Sequence, residues 1–313
     1  MNRRMRALAA VPAIALLSVT ASCGRSQTPQ TIQITLVTKA LDSEWWQRVK
    51  AGAEEAARAH PGVRLAVLAP EREVNIDQQV AILEDQITRR ISALAVAPAG
   101  VAEILPVLDK ARAAGIPVII VDTDVNWPWK LSYVGADNRR AGRLAGEYIA
   151  KILGGRGKVA VIRGILGIAT HEDRVAGFRE ALAKAPGIEC VAVQPANSER
   201  ALGMSVMENL LTSYPNLRAV FATNDQMALG AVEAIAAHNL TGQVAVVGVD
   251  ATSEAVHAVK NGKLAADVAM HPEVLGRYSV EAAYKAALRQ PLDRRIDTGE
   301  TLVTQANAAQ FLK

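Results

Sequence analysis

Short apolar runs alternate with longer amphipathic stretches along the chain from residue 31 onward. The apolar runs are TIQITLV (31–37), VRLAVL (63–68), ISALAVA (91–97), IPVIIVD (116–122), KVAVIR (158–163), IECVAV (188–193), RAVFAT (218–223), QVAVVGV (243–249) and LAADVAM (264–270). The amphipathic stretches include WWQRVKAGAEEAARA (45–59), NRRAGRLAGEYIAKIL (138–153), HEDRVAGFREALAKA (171–185) and NDQMALGAVEAIAAH (224–238). This alternation predicts parallel βαβ units.

The apolar runs contain few polar residues, which predicts strands whose two faces are both covered by helices. Nine such units are too many for one regular open sheet, and 313 residues are enough for two domains. The pattern therefore predicts an α/β fold of two doubly wound, Rossmann-like lobes.

The N-terminus carries a separate signal. MNRRMR (1–6) is basic, ALAAVPAIALLSVT (7–20) is uncharged and ASC (21–23) is small, which is the pattern of a secretory signal peptide. The apolar run is shorter than the roughly 20 residues of a membrane-spanning helix. VTASC (19–23) resembles a lipobox with Cys23 as the lipidated residue. An ordinary signal peptide cut near the same place is the alternative.

We expect residues 1–22 to be removed and residues 23–30 to form a polar linker. The protein would then act in the periplasm or at the cell surface, held to the membrane through Cys23 alone. Loss of the signal removes three arginines and no acidic residue, so the formal net charge falls from +4 to +1. A nearly neutral protein gives no electrostatic reason to bind nucleic acid. Cys190 has no disulfide partner, and its apolar neighbours predict a buried, inert thiol.

The tryptophans lie in two short segments, LDSEWW (41–46) and NWPWK (126–130), each just past a predicted strand. The four are Trp45, Trp46, Trp127 and Trp129. Ligands of open parallel sheets bind beyond the carboxyl ends of the strands, and the C–H groups of a sugar ring suit the face of an aromatic ring. We therefore expect the tryptophans on the rim of a ligand cleft. The alternatives are that they close the core, or that NWPWK is an exposed turn held by its proline.

Motifs of enzyme chemistry are absent from the sequence. It has no G-x-S-x-G, no G-x-x-x-x-G-K-[ST], and no G-x-G-x-x-G after the first strand. Its histidines and cysteines show no H-x-x-x-H or C-x-x-C spacing. We therefore predict no catalytic residue, no metal and no cofactor, and a protein that captures a ligand without converting it.

Several stretches together resemble one family. They are LVTKALDSEWWQRVKAGAEEAA, GIPVIIVDTD, VGADNRRAGRLAGEYIA, RVAGFREAL, VMENLLTSYPNLRAVFATNDQMALGAVEA, AVVGVDAT and NGKLAADVAMHPEVLG. In this order they resemble the periplasmic sugar-binding proteins of the ribose-binding type, the solute receptors of ABC importers, over residues 31 to about 304. The related sugar-responsive repressors would begin with a helix-turn-helix, where this chain has a signal sequence.

The resemblance implies a type I periplasmic-binding-protein fold with three chain crossings between the lobes. The N-terminal lobe would comprise residues 31–136 and 272–298, and the C-terminal lobe residues 137–271 and 299–313. The implied hinge residues are Ala136, Asn138, Met270 and His271. His271 would either contact the ligand or pack in the hinge. The ligand would lie between the lobes, which close around it.

The same resemblance implies the ligand contacts. Trp45 and Trp46 stand where the family has stacking aromatics, and the residues that match its polar contacts in type are Asp122, Arg174, Asn224 and Asp250. Lys39 and Thr123 depart from the ribose receptor, and Lys39 together with Asp42, Thr123 and Asp124 would make the N-terminal wall charged. Other roles remain open: helix capping for Asn224 and Asp250, a surface ion pair for Arg174, and an ion pair with Asp42 or Asp124 for Lys39.

We therefore expect a monomeric solute-binding protein that captures a sugar or polyol and delivers it to the permease subunits of an ABC importer. One alternative is a receptor that presents a sugar-like signal to a chemoreceptor or sensor kinase. A second is a secreted α/β enzyme that acts on a sugar.

Overall fold

A computed structural model describes residues 31–312, which form one compact unit. The predicted signal peptide, Cys23 and the linker lie outside the described residues. Within residues 31–312, no helix has both the length and the apolar character needed to cross a membrane.

The strands are β1 (Ile32–Val37), β2 (Val63–Leu68), β3 (Ala93–Val96), β4 (Val118–Val121), β5 (Ser132–Gly135), β6 (Arg156–Arg163), β7 (Gly187–Pro195), β8 (Leu217–Ala222), β9 (Ala245–Asp250), β10 (Ala266–Ala269), β11 (Arg295–Asp297) and β12 (Thr301–Val303). The helices are α1 (Glu44–Ala59), α2 (Ile76–Thr88), α3 (Val101–Ala113), α4 (Asn138–Ile152), α5 (Ala169–Leu182), α6 (Arg200–Ser213), α7 (Asp225–Ala237), α8 (Ser253–Lys260) and α9 (Pro272–Ala287). A short 3-10 helix covers Ala308–Phe311.

The strands form two six-stranded sheets. The first has the order β2-β1-β3-β4-β5-β11 and is parallel throughout. The second has the order β7-β6-β8-β9-β10-β12, in which only the edge strand β12 is antiparallel. The predicted α/β fold with two mostly parallel sheets is confirmed, and each of the nine apolar runs overlaps a strand.

Helices cover both faces of each sheet, because alternate strand residues enter different hydrophobic clusters. In β3, Ala93 and Ala95 pack into the cluster that contains α1 and α9, whereas Leu94 and Val96 pack into the one that contains α3. The second sheet is divided in the same way between α4 with α5 and α6 with α7. We call each sheet with its helices a lobe.

The chain passes between the lobes three times. It leaves the first sheet after β5, returns between β10 and α9, and crosses again between β11 and β12. Of the predicted hinge residues, Ala136 and Met270 are buried. His271 precedes α9 with a left-handed φ of 51°, and its Nε2 lies 3.3 Å from the hydroxyl of Thr301, the first residue of β12 after the third crossing. His271 therefore packs between two crossings.

Glycines allow the covering helices to meet backbone to backbone. A Cβ on Gly142 of α4 would overlap the carbonyl oxygen of Arg174 in α5, and one on Gly177 of α5 would overlap that of Arg139 in α4. The same reciprocal contact joins α1 to α9 through Gly52 and Gly276. The spacing between these helices therefore depends on the absence of a side chain.

The thiol of Cys190 is partly buried in β7 and lies 3.7 Å from the carbonyl oxygen of Ala192. Burial raises the pKa of Cys190, so the protonated, unreactive form is favoured.

Candidate ligand-binding site

A cleft lies between the lobes at the carboxyl ends of both sheets. Its inner cavity has a volume of about 30 Å³, and an outer cavity of about 330 Å³ adjoins it. The inner cavity is lined by Lys39, Trp45, Trp46, Glu73, Asp122, Thr170, His171, Arg174, Ser198, Asn224 and Asp250. Most of the predicted ligand-binding residues therefore meet in one place. Asp42 lines the outer cavity, and Thr123 lies behind Asp122.

A buried carboxylate stands at a strand end in each lobe. Asp122 follows β4 with φ 60°, and Asp250 ends β9 with φ 126°. Residues other than glycine rarely adopt this left-handed region, and such strain is typical of functional sites. Both side chains are about nine-tenths buried. The backbone turn after each strand thus directs one carboxylate into the cleft.

Asp122 is neutralised by Lys39. The Lys39 ammonium donates a hydrogen bond of 2.6 Å to Asp122 Oδ2, and the Thr123 hydroxyl donates to the same oxygen at 3.1 Å. The alternative that Lys39 pairs with Asp42 or Asp124 is wrong. Asp124 is instead paired with Lys130.

The tryptophan pair of α1 lines both cavities. The Trp45 and Trp46 rings meet edge to face, with centroids 6.4 Å apart and an interplanar angle of 77°. Trp46 Nε1 donates a hydrogen bond of 2.8 Å to Glu73 Oε1, and the Lys39 ammonium lies 5.9 Å from the Trp46 ring centroid. Polar partners therefore hold the Trp46 ring in position.

The expectation that all four tryptophans share one rim is wrong. Trp127 packs into the core around α3, where its Nε1 donates to Asp109 at 2.9 Å. Trp129 is 51% exposed, and its ring centroid lies 3.3 Å from the guanidinium carbon of Arg112. The NWPWK segment turns back over α3, so neither side chain lines the two cavities.

Arg174 projects from α5 into the cleft and is held at three points. Its Nε donates to Asn138 Oδ1 at 2.9 Å, and its Nη1 donates to the Thr223 carbonyl oxygen at 2.6 Å. Nη1 also lies 3.7 Å from Asp250 Oδ1. The surface ion pair considered for Arg174 is therefore wrong, because its side chain is only 5% exposed. Asn138 links this cation to the first crossing between the lobes.

Asn224 combines the two roles considered for it. Its Oδ1 accepts the Met227 N–H at 3.0 Å and caps α7, while the side chain also lines both cavities. Asp250 does not cap a helix, since the cap of α8 is the Thr252 hydroxyl. The capping alternative is therefore wrong for Asp250.

Glu73 and His171 were not among the predicted site residues. Burial, with a smaller effect of the nearby Arg174, lowers the pKa of His171 well below its usual value, so the imidazole is neutral. Its Nδ1 lies 2.9 Å from the Thr223 hydroxyl and its Nε2 3.2 Å from the Ser198 hydroxyl. His171 lies three residues before Arg174 in a predicted helix, which puts both side chains on one face. This spacing could have indicated from the sequence that His171 enters the same site as Arg174.

Two further carboxyl groups, those of Asp225 and Asp267, hold the turn that carries Asp250. Asp225 Oδ2 accepts the Thr252 N–H at 2.7 Å, and Asp267 Oδ1 accepts the Ala251 N–H at 3.1 Å. The remaining oxygens, Asp225 Oδ1 and Asp267 Oδ2, are buried, face each other and accept no other hydrogen bond within the described chain. We therefore expect one proton to be shared between these two oxygens.

Burial raises the pKa values of this pair. The pKa of Asp225 lies well above its usual range because of burial and the charge of Asp267, and burial raises the pKa of Asp267 to about 6 from 3.8. A carboxyl group whose pKa is higher in the folded state binds protons more tightly there. The folded state therefore loses stability as the pH rises above about 4, through about 6 for Asp267 and further for Asp225, whose pKa is raised well above its usual range.

Asp267→Asn is expected to remove this loss. The asparagine oxygen can still accept the Ala251 N–H, and its amide can donate to Asp225 Oδ1 without binding a proton from solution. At pH 8 the variant should be more stable than the parent by about 2 kcal/mol, with little difference at pH 4. Urea unfolding between pH 4 and pH 8 measures the difference in the free energy of unfolding. Asp293→Asn is the control, because Asp293 is exposed. Parallel stability curves would contradict the shared proton.

Protein contacts bridge the cleft near its mouth. Glu44 Oε1 of the first lobe accepts the Ser253 N–H at 2.9 Å, and Arg48 Nη1 donates to the Ala251 carbonyl oxygen at 2.9 Å. Arg72 forms an ion pair with Glu199 of the second lobe. Within residues 31–312, no group of His, Cys, Asp or Glu is arranged to hold a metal ion.

The chain matches proteins of known class over nearly its whole described length. The periplasmic binding protein domain matches residues 34–290. The ribose import binding protein RbsB of Salmonella typhimurium is 36% identical over 281 residues, which cover 90% of this chain and 92% of that protein.

Two solved structures share the fold. A periplasmic solute binding protein of an ABC transporter from Actinobacillus succinogenes, with bound D-allose, has a TM-score of 0.84 at 32% identity over 89% of this chain and 99% of its own. A solute binding protein of an ABC transporter from Bacillus halodurans, with bound myo-inositol, has a TM-score of 0.86 at 29% identity. The match covers 92% of this chain and 99% of that protein. Sequence and fold agree: this chain belongs to the periplasmic binding protein family.

Proposed function

We propose that this protein binds a sugar or polyol between its lobes and delivers it to an ABC importer. The observation that carries the proposal is the cleft itself, where the Trp45–Trp46 pair faces two ion-paired carboxylates. Carboxylate oxygens accept hydrogen bonds from hydroxyl groups, the Arg174 guanidinium donates several in a fixed plane, and an aromatic face covers the C–H side of a ring. The relatives with bound allose and myo-inositol support this ligand class.

Delivery to a permease follows from the proposed motion of the lobes. We place the hinge at Ala136, Asn138, Met270 and His271, and divide the lobes at residues 136, 271 and 298. The inner cavity of about 30 Å³ holds only one or two water molecules, so a sugar would reach it when the lobes separate. Closure would then bury the ligand and create the surface that a permease recognises.

The family supports a location outside the cytoplasm, and the N-terminal sequence supports a lipid anchor. We propose a monomer outside the cytoplasm, lipid-anchored through Cys23, that binds without catalysis. The His171–Ser198 contact does not favour an enzyme, because the second nitrogen of His171 bonds the Thr223 hydroxyl and not a carboxylate. A signalling role would use the same cleft.

Titration of the purified protein with pentoses, hexoses, polyols and sugar acids tests this function. Two tryptophans line the cleft, so a ligand should change their fluorescence saturably. Asp250→Asn should weaken the response by about tenfold or more, since a hydrogen bond to a charged group is lost. Absence of a saturable response to every carbohydrate, in folded protein, would contradict the proposed function.

A further inference from the structure

The acidic residues that line the inner cavity differ in their cation partners. The cavity carries the carboxyl groups of Glu73, Asp122 and Asp250 and the cations of Lys39 and Arg174, while His171 is neutral. Burial raises the pKa of Asp250 well above its usual range, and the charge of Arg174 opposes that effect. Lys39 is committed to Asp122, and Arg174 lies against Asp250. Glu73 is thus the one cavity acid without its own cation among the described residues.

Glu73 is also oriented and partly free to bind. Trp46 Nε1 occupies Oε1, whereas Oε2 has no hydrogen bond from any described residue. Burial raises the pKa of Glu73, and the charge of Lys39 opposes that effect. The side chain lines both cavities, so a ligand in either one can reach it.

The surroundings of Glu73 favour a cation. Asp42 lines the same outer cavity, forms no ion pair with a described residue, and lies close enough for its charge to raise the pKa of Glu73 further. The tryptophan pair beside Glu73 presents aromatic rings, which attract ammonium groups. The outer cavity of about 330 Å³ falls within the size range of small-molecule sites.

We infer that the ligand carries an amino group, as an amino sugar or an amino-polyol does, and that Glu73 selects it. The inference rests on the proposed function and names the ligand class of that site. A protonated amine next to Glu73 would supply the cation partner that Glu73 lacks and donate to Oε2. A sugar acid would add a second negative charge there and would be rejected, since like charges in a cleft repel strongly.

Matched ligand series test the inference. The parents are D-glucose, D-galactose, D-allose and myo-inositol. Each is compared with its amino-deoxy derivative, and the first two also with their uronic acids, by calorimetry at pH 7. For the parent ring that fits, the amine should bind at least about tenfold more tightly than the hydroxyl form, and the acid should bind most weakly. N-acetylation, which removes the charge, should abolish the amine's advantage.

Glu73→Gln assigns the selectivity to one side chain. The variant keeps the shape and the acceptor for Trp46 but loses the charge, so amine binding should fall by about 30-fold and neutral binding by less than about threefold. The differences in affinity among the amine, the neutral parent and the acid should become smaller. Glu71→Gln is the matched control, because Glu71 is exposed on the same loop and does not line the cavities.

The outcomes distinguish a failure of the amine inference from a failure of the proposed function. A neutral parent that binds as tightly as its amine, with Glu73→Gln unchanged, would overturn the amine inference and leave the carbohydrate receptor intact. Equal losses for amine and parent in Glu73→Gln would show that Glu73 only positions Trp46, which also overturns it. Failure of every compound to bind would overturn the proposed function and the inference together.

Discussion

Arg174→Lys is expected to weaken binding of the carbohydrate ligand by about 100-fold, although the positive charge is retained. Arg174 reaches three partners with two nitrogens: Nε donates to Asn138 Oδ1, and Nη1 donates to the Thr223 carbonyl oxygen and lies 3.7 Å from Asp250 Oδ1. A lysine offers one ammonium group on a flexible stem and cannot hold all three partners in a plane. At least one buried acceptor is then left without a donor, and Asp250 loses its fixed counter-charge.

Calorimetric titration with the tightest-binding carbohydrate measures this loss. Arg179→Lys is the matched control, since Arg179 lies on the same helix but is exposed, and its affinity should stay within about twofold of the parent. Circular dichroism must show that Arg174→Lys is folded at the titration temperature. An affinity within threefold of the parent would show that the charge alone suffices and that the three-point arrangement is not used.

Gly142→Ala is expected to lower the free energy of unfolding by about 3 kcal/mol. In an exposed helix the same change would stabilise by about 1 kcal/mol, because alanine is the better helix former, so the sign of the effect is diagnostic. The new Cβ would overlap the carbonyl oxygen of Arg174 and force α4 and α5 apart. Because that carbonyl belongs to the residue that enters the cleft, ligand binding should weaken as well.

Urea unfolding and ligand titration of the same preparation measure both effects. Ser205→Ala on the exposed side of α6 is the control, since it raises helix propensity at a position with open space. A Gly142→Ala protein as stable as its parent would mean that the α4–α5 crossing relaxes without cost. Loss of stability with unchanged affinity would mean that the position of Arg174 does not depend on this crossing.

The sequence predicted the fold well because its strands are apolar on both faces. A run such as IPVIIVD can be satisfied only inside a covered parallel sheet, and β4 lies there. The three strands that were not predicted, β5, β11 and β12, have three or four residues each and no apolar run. Their extended state depends on pairing with neighbouring strands, which no local pattern reveals.

The polar site residues were predicted from the family resemblance. Asp122 and Asp250 also stand at strand carboxyl ends, where ligands of parallel sheets gather. The partner of Lys39 was not predicted, because it lies 83 residues away along the chain. Glu73 was missed because it stands several residues beyond β2, in a loop whose path is set by its bond to Trp46. Pairings across loops depend on tertiary geometry, and residue type alone does not specify them.

A protein contact that bridges the cleft outside the two cavities separates affinity from selectivity. Arg48 binds the Ala251 carbonyl oxygen of the opposite lobe and lines neither cavity, so its contact favours closure equally for every solute. Apparent affinity scales with the population that can close, and a substitution at Arg48 would shift it by one common factor. A lineage could therefore adjust its receptor to scarce or abundant nutrient without changing which nutrient it takes up.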